Sequence, residues 1–193
     1  TIEYNFGVQI DNYVVTDFEM FKVLVDAIGG VEVDVTKAEA KEVTNHPKRY
    51  GNVKLESGKH TLTGEQALAY CRIRKIDTDF VRTKRQRTVM TAIIKKMKSS
   101  NPFTLYSMAS KAAPYIETDM SKNELMSFVA KAGICAGSIH QTRVPFEDAW
   151  SYANIRGNSV IQIDKDKNKE LLIDFIYNKT SAELEAEEAK ADK

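Results

Sequence analysis

The sequence predicts an α/β fold of mixed α+β character: a single-domain sheet flanked by helices on both faces. Three observations predict it. A strand, helix, strand succession runs from Asn12 to Val35. Val31, Val33 and Val35 alternate with Glu32 and Asp34, the period of a half-buried strand. Three Ser/Thr-x-x-Glu/Gln pairs, Thr16 with Glu19, Thr63 with Gln66 and Ser121 with Glu124, each stand ahead of apolar residues at helical spacing.

Taken in order, Gly7 is placed to end a helix that begins upstream. With no initiator Met, the chain reads as a fragment. A short strand over Asn12 to Val15 precedes the Thr16–Glu19 cap and a helix carrying Phe18, Phe21, Leu24, Val25 and Ile28, which Gly29 and Gly30 stop. The polar stretch from Thr36 to Gly51 reads as a mobile surface excursion, helix-permissive up to Pro47. Val53 and Leu55, the turn at Ser57-Gly58 and the return through Thr61 and Leu62 predict a hairpin.

Thr63 and Gln66 open a short helix through Ala67, Leu68 and Tyr70 that leads into Arg72. Val81, Val89, Met90, Ile93, Ile94 and Met97 give a long helix that ends before Pro102. Ser121 and Glu124 cap a helix carrying Leu125, Phe128, Val129 and Ala132 and closed by Gly133. Ile139 to Val144 and Ser159 to Ile163 read as strands, and Leu171, Leu172, Phe175 and Ile176 as one helix face. Residues 179–193 are acidic and low in complexity and read as a disordered tail.

Composition narrows the function. A chain of 193 residues, 42% hydrophobic and of net charge +1, has room for one sizeable core and no general basic coat. Cys71 and Cys135 have neither the spacing of a zinc site nor that of a disulfide scaffold, and both are expected buried and free. No apolar run approaches the roughly 20 residues of a membrane helix. Between Ala69 and Lys98, however, ten Lys or Arg stand against two Asp. Charge so localised implies a localised anionic ligand.

With a helix start near Asp79 or Phe80, Arg82, Arg85 and Gln86 share one face of its first turns. Arg72 and Arg74, two apart, point the same way in an extended segment. Guanidinium forks meeting free backbone N–H groups at a helix N-terminus suit a diphosphate. A solvated basic face is the ordinary account of such a helix, but cations in a first turn oppose the macrodipole by about 0.3 to 1 kcal/mol each. A bound anion reverses that sign, because charge-assisted hydrogen bonds contribute about 1.5 to 3 kcal/mol apiece. Asp79 reads as the helix N-cap, as an acid that orients an arginine, assists a proton transfer or reaches a metal, or as both, and Asp77 as a loop residue.

Other motifs fail. Asp164 to Asn168 begins like a calcium loop, but Lys169 replaces its glycine and Phe175 its bidentate Glu, so a turn and helix cap account for it. His46, His60 and His140 lack ligand spacing, and Trp150 is expected in core or rim packing.

Several segments together resemble the LytR-CpsA-Psr family in order and spacing: Asp11 to Phe18, Val25 to Val35, Gly58 through Leu62 to Tyr70, Arg72-Ile73-Arg74, Asp79 to Arg82, and Arg85-Gln86. The resemblance covers residues 1–178 and implies the C-terminal portion of the domain, its N-terminal part missing. It implies an extracytoplasmic enzyme of the bacterial cell membrane, anchored by an N-terminal helix outside this chain. Its members transfer a glycopolymer such as teichoic acid or capsular polysaccharide from a polyprenyl-pyrophosphate carrier to peptidoglycan, assisted by Mg²⁺. Carried over by position, Arg74, Asp79 and Arg82 are the catalytic residues, and Arg72, Arg74, Arg82, Arg85 and Gln86 bind the pyrophosphate. The family's metal ligands lie upstream of this chain, so the fragment alone is expected to be inactive. Two alternatives stay open: a nucleic-acid-binding transcriptional regulator or attenuator, which lacks interleaved aromatics and a helix-turn-helix here, and a noncatalytic envelope-binding module.

Overall fold

A computed structural model describes residues 1–135, 140–179 and 183. In chain order its elements are α1 (Ile2–Phe6), β1 (Val14–Thr16), α2 (Phe18–Ala27), β2 (Val31–Val35), α3 (Lys37–Thr44), α4 (Pro47–Tyr50), β3 (Gly58–Leu62), α5 (Gly64–Cys71), α6 (Asp79–Lys98) and α7 (Pro102–Ala112). A 3-10 turn at Ala113–Tyr115, β4 (Ile116–Thr118), α8 (Lys122–Cys135), β5 (Trp150–Ile155), β6 (Asn158–Ile163) and α9 (Lys165–Ile173) follow. The mixed α/β class holds. In place of one sheet, the described strands form three separate antiparallel pairs, β1 with β4, β2 with β3 and β5 with β6. The chain divides into two compact units, Asn12–Gly137 and a second made of Thr1–Asp11 with Ser138–Lys193.

The larger unit holds the main core. Val31, Val33 and Val35 are buried while Glu32 and Asp34 are exposed, as the alternation requires. They pack with Val25 of α2 and Ile28 at its C-cap, Ala67 of α5, and Val89 and Ile93 of α6 in one apolar cluster. Gly64 is indispensable to the α2–α5 contact. A Cβ there would lie 2.4 Å from the Lys22 carbonyl oxygen and 2.6 Å from its Cα. The Gly64 amide donates to Asp26 Oδ1 at 2.7 Å, so a surface carboxylate fixes the start of α5 against α2.

Several expectations need correction. The cap of α2 is Asp17, whose side chain accepts from the Met20 amide at 2.7 Å; Thr16 belongs to β1. The stretch from Thr36 to Gly51 is no surface excursion. Thr36 and Glu39 form a capping box, and Glu39, Ala40, Glu42 and Val43 are buried on α3. Val53 and Leu55 belong to no strand: β3 pairs with β2, and Leu55 is held by its amide donating to Thr44 Oγ1 at 3.0 Å. The Ser121–Glu124 cap is present in both directions, but α8 runs past Gly133 to Cys135.

In the smaller unit, Gly7 ends α1 in the left-handed conformation, its amide donating to the Glu3 carbonyl at 2.8 Å. Residues 140–144 form no strand; residue 139 lies outside the described residues, as does the tail apart from Lys179 and Glu183. The strand expected at Ser159 to Ile163 is β6, paired with β5 through the turn at Arg156 and Gly157, both at positive φ. Trp150 packs edge-on against Tyr152 with ring centroids 5.1 Å apart. Asp164 caps α9 by accepting from the Lys167 amide at 3.0 Å. The fully buried Asn168 accepts from Phe146 N and donates to Ala149 O and Asp164 O, which ties the 146–149 segment to α9.

Candidate functional site

The site begins where α5 ends. Its capping box, Thr63 with Gln66, is as expected. Cys71 and Ile73 are buried, while Arg72 and Arg74 between and beyond them face out. Arg72 is not in an extended segment: it is the helical C-cap of α5, its amide bonded to the Leu68 and Ala69 carbonyls. Its guanidinium lies over the Phe18 ring, 5.5 Å from the centroid. Burial pushes the Cys71 thiol up to about 12 and the Tyr70 hydroxyl, likewise by burial first, up to about 12. Cys71 is free, as expected; the Cys135 side chain lies outside the described residues.

Helix α6 starts at Asp79, but its cap is Thr78, whose side chain accepts from the Val81 amide. Asp79 is thereby left for another task. Its Oδ1 lies 3.0 Å from Arg82 Nη1 and 3.3 Å from Arg74 Nη2, so one carboxylate in the first turn holds two arginines from two elements. It also answers the macrodipole that the arginines oppose.

Arg85 departs from expectation. It is 3% exposed and points inward. Its Nε donates to Glu39 Oε1 at 2.6 Å, its Nη1 to the Ile73 carbonyl at 3.2 Å, and its Nη2 to Asp77. Burial pulls the guanidinium pKa down, and Asp77 and Glu39 outweigh that to leave it raised. The other Glu39 oxygen accepts from Thr36 N and Oγ1, so its carboxylate is fully engaged. Arg85 is therefore a positioning residue that grips the loop bearing Arg72 and Arg74, and Asp77 is its partner as well as a loop residue.

Arg72, Arg74, Arg82 and Gln86 all line one cavity of about 570 Å³. Phe18, Phe21, Leu68 and Met90 supply its apolar surface. Among the lining residues that the sequence reading did not assign to the site are Arg49 and Tyr50. Buried Glu42 accepts from Arg49 Nη1 at 2.6 Å and from the Tyr50 hydroxyl at 3.0 Å, and its Oε2 lies 3.2 Å from His46 Nδ1. The available signal was Thr36-x-x-Glu39 itself, a capping box that places Glu42 one turn on.

Among the described residues no group of three or more His, Cys, Asp or Glu side chains is gathered to hold an ion. Asp79 and Asp77 are both taken up by arginines. Among the described residues, the carboxylates beside the site's arginines are thus committed to cations and do not gather into a Mg²⁺ site.

Known proteins carry the same chain pattern. TagV of Bacillus subtilis (strain 168), a polyisoprenyl-teichoic acid–peptidoglycan teichoic acid transferase, is 37% identical over 128 residues, 64% of this chain and 32% of TagV. The regulatory protein MsrR of Staphylococcus aureus (strain COL) is 28% identical over 91% of this chain and 53% of its own. The chain thus spans about a third to a half of the length of these relatives. Among solved structures, TagT bound to LIIa-WTA superposes with a TM-score of 0.71 at 27% identity, covering 89% of this chain and 62% of that one. The profile of the LytR_cpsA_psr family matches residues 1–174, and the chain belongs to that family.

Proposed function

We propose that the protein containing this chain transfers an anionic cell-wall glycopolymer, teichoic acid or capsular polysaccharide, from a polyprenyl-pyrophosphate carrier to peptidoglycan. One observation carries the reading: arginines from two elements, Arg72 and Arg74 beyond α5 and Arg82 on α6, line an apolar-floored cavity. An amphiphile with a doubly charged head and a hydrocarbon tail needs that combination. The relatives named as teichoic acid transferases support it.

In the reaction, a peptidoglycan hydroxyl oxygen attacks the phosphorus that bears the polymer. The new P–O bond makes a phosphodiester, the bond to the bridging oxygen breaks, and polyprenyl monophosphate leaves with those electrons. Arg74 and Arg82 neutralise charge gathering on the phosphate oxygens, and Gln86 donates to them. Asp79 holds both arginines in place, and the hydroxyl proton departs to it or to water. Mg²⁺ is proposed for the whole protein only, with ligands beyond those described, and no step here depends on it. The site works at the extracytoplasmic face of the cell membrane.

The test is transfer by the full-length protein together with calorimetric titration of a short prenyl diphosphate. Arg74→Ala and Arg82→Ala should each abolish transfer and weaken binding roughly 10- to 100-fold, the loss of one or two charge-assisted hydrogen bonds. Unchanged transfer in both variants overturns the reading, and binding without transfer by the wild-type protein leaves the noncatalytic envelope module. A regulator reading has less support, because the arginines line a cavity too small for a duplex. Salt-dependent DNA binding in a gel-shift series would restore it.

A further inference from the structure

Arg49 stands apart from the other arginines of the cavity. It comes from α4, a third element, and its carboxylate partner Glu42 is buried, whereas the Asp79 that holds Arg74 and Arg82 is exposed. Its mounting is stiff. Tyr50 is buried in the main apolar cluster, and its ring centroid lies 5.8 Å from the Arg49 guanidinium carbon. The Tyr50 hydroxyl and Arg49 Nη1 both donate to Glu42 Oε1, at 3.0 and 2.6 Å. Glu42 stands on α3, where the Thr44 hydroxyl donates to the Leu55 carbonyl and accepts from the Leu55 amide, tying that helix to the segment after α4.

Glu42 does not use all that Arg49 offers. A guanidinium carries five N–H donors in a rigid fork, and one carboxylate oxygen that also takes a phenol cannot accept them all. The Arg49 side chain is 41% exposed and lines the cavity, whereas that of Arg85, spent on Glu39, Ile73 and Asp77, is 4% exposed. Pairing with Glu42 also cancels the Arg49 charge at a distance, so it brings the cavity direction more than field. Fixed donors on a wall of their own can register how many phosphates a ligand carries. We infer that Arg49 is a specificity-determining residue that hydrogen-bonds the second phosphate of a prenyl diphosphate, the one that the monophosphate product lacks. The phosphate that the product keeps is left to Arg72, Arg74 and Arg82, and losing the Arg49 contact on transfer favours product release. This assignment rests on the proposed function, since it needs a diphosphate in this cavity.

The full chain is titrated calorimetrically with two probes, a short prenyl diphosphate and the matching prenyl monophosphate. The wild type should favour the diphosphate by about tenfold or more. In Arg49→Met the diphosphate should bind roughly 10- to 100-fold more weakly, the loss of one or two charge-assisted hydrogen bonds, while the monophosphate stays within about twofold of wild type. Circular dichroism checks the fold. Arg49→Met combined with Glu42→Gln, which leaves no unpaired carboxylate in the core, carries the same test where the single variant unfolds. An equal loss for both probes would put Arg49 on the shared phosphate, and unchanged affinities would leave it a partner of Glu42 alone. Either result overturns the assignment while the diphosphate reading stands, as does equal binding of the two probes by the wild type. Absence of binding by either probe to the wild type overturns both.

Discussion

Arg82 and Arg85 lie three residues apart on α6 and have opposite fates. Arg85 is buried among two carboxylates and a backbone carbonyl; Arg82 lines a cavity and shares Asp79 with Arg74. The difference teaches that a basic motif contains two layers of work. One layer spends its hydrogen bonds on the protein, and the other keeps donors for a ligand. Near-neighbours on a helix reach these different surroundings because a step of three turns the side chain by about one-sixth of a circle, enough to separate core from cleft.

The sharpest way to break this comparison is Arg85→Met. Left without the guanidinium, Glu39 and Asp77 lose their shared partner, and stability should fall by about 3 to 5 kcal/mol in urea denaturation. Arg82→Ala should cost less than about 1 kcal/mol by the same measurement, since its ion pair is with an exposed carboxylate. Equal losses would erase the distinction between the layers. In ligand binding the order inverts, with Arg82→Ala and Arg74→Ala losing the 10- to 100-fold stated above.

Alkaline titration probes the buried layer. Tyr70 and Cys71 hold their protons to about 12 in the folded chain, against ordinary values of 10.0 and 9.0. The unfolded chain therefore releases protons first, so stability is fully present below pH 9 and declines as pH rises toward 12. The slope is at most about 1.4 kcal/mol per pH unit for each group. Cys71→Ala should delay the onset of the decline to about pH 10, where Tyr70 begins. An unchanged onset would mean that the thiol ionises freely in the fold. The smallest effect is expected of Phe18→Ala, which removes the ring beneath Arg72. It should weaken prenyl diphosphate binding by about 0.5 to 1 kcal/mol in the same calorimetric titration. No change would mean that Arg72 needs no support.

Local signals made much of this legible. The β2 alternation, the Thr63–Gln66 box and the long α6 follow from spacing alone, and the cluster of Arg72, Arg74, Arg82 and Gln86 follows from charge set beside a helix start. Where two adjacent residues both cap well, as with Thr16 and Asp17 or Thr78 and Asp79, composition does not choose between them. The choice mattered at Asp79, which is free to hold arginines because Thr78 caps. Long-range partners were out of reach. Glu39 lies 46 positions from Arg85, and no periodicity links them. The polar look of residues 36–51 concealed a buried face, because Glu39 and Glu42 are core residues, the first matched by Arg85 of α6 and the second by Arg49 within the stretch itself.

Arg85 grips Ile73 and Asp77 at once, so the three residues between them form an arch pinned at both feet. Arg74 rides on that arch and reaches Asp79 from it, so a residue inserted between Ile73 and Asp77 should carry the guanidinium away from Asp79 and out of the cavity even while both feet stay fixed.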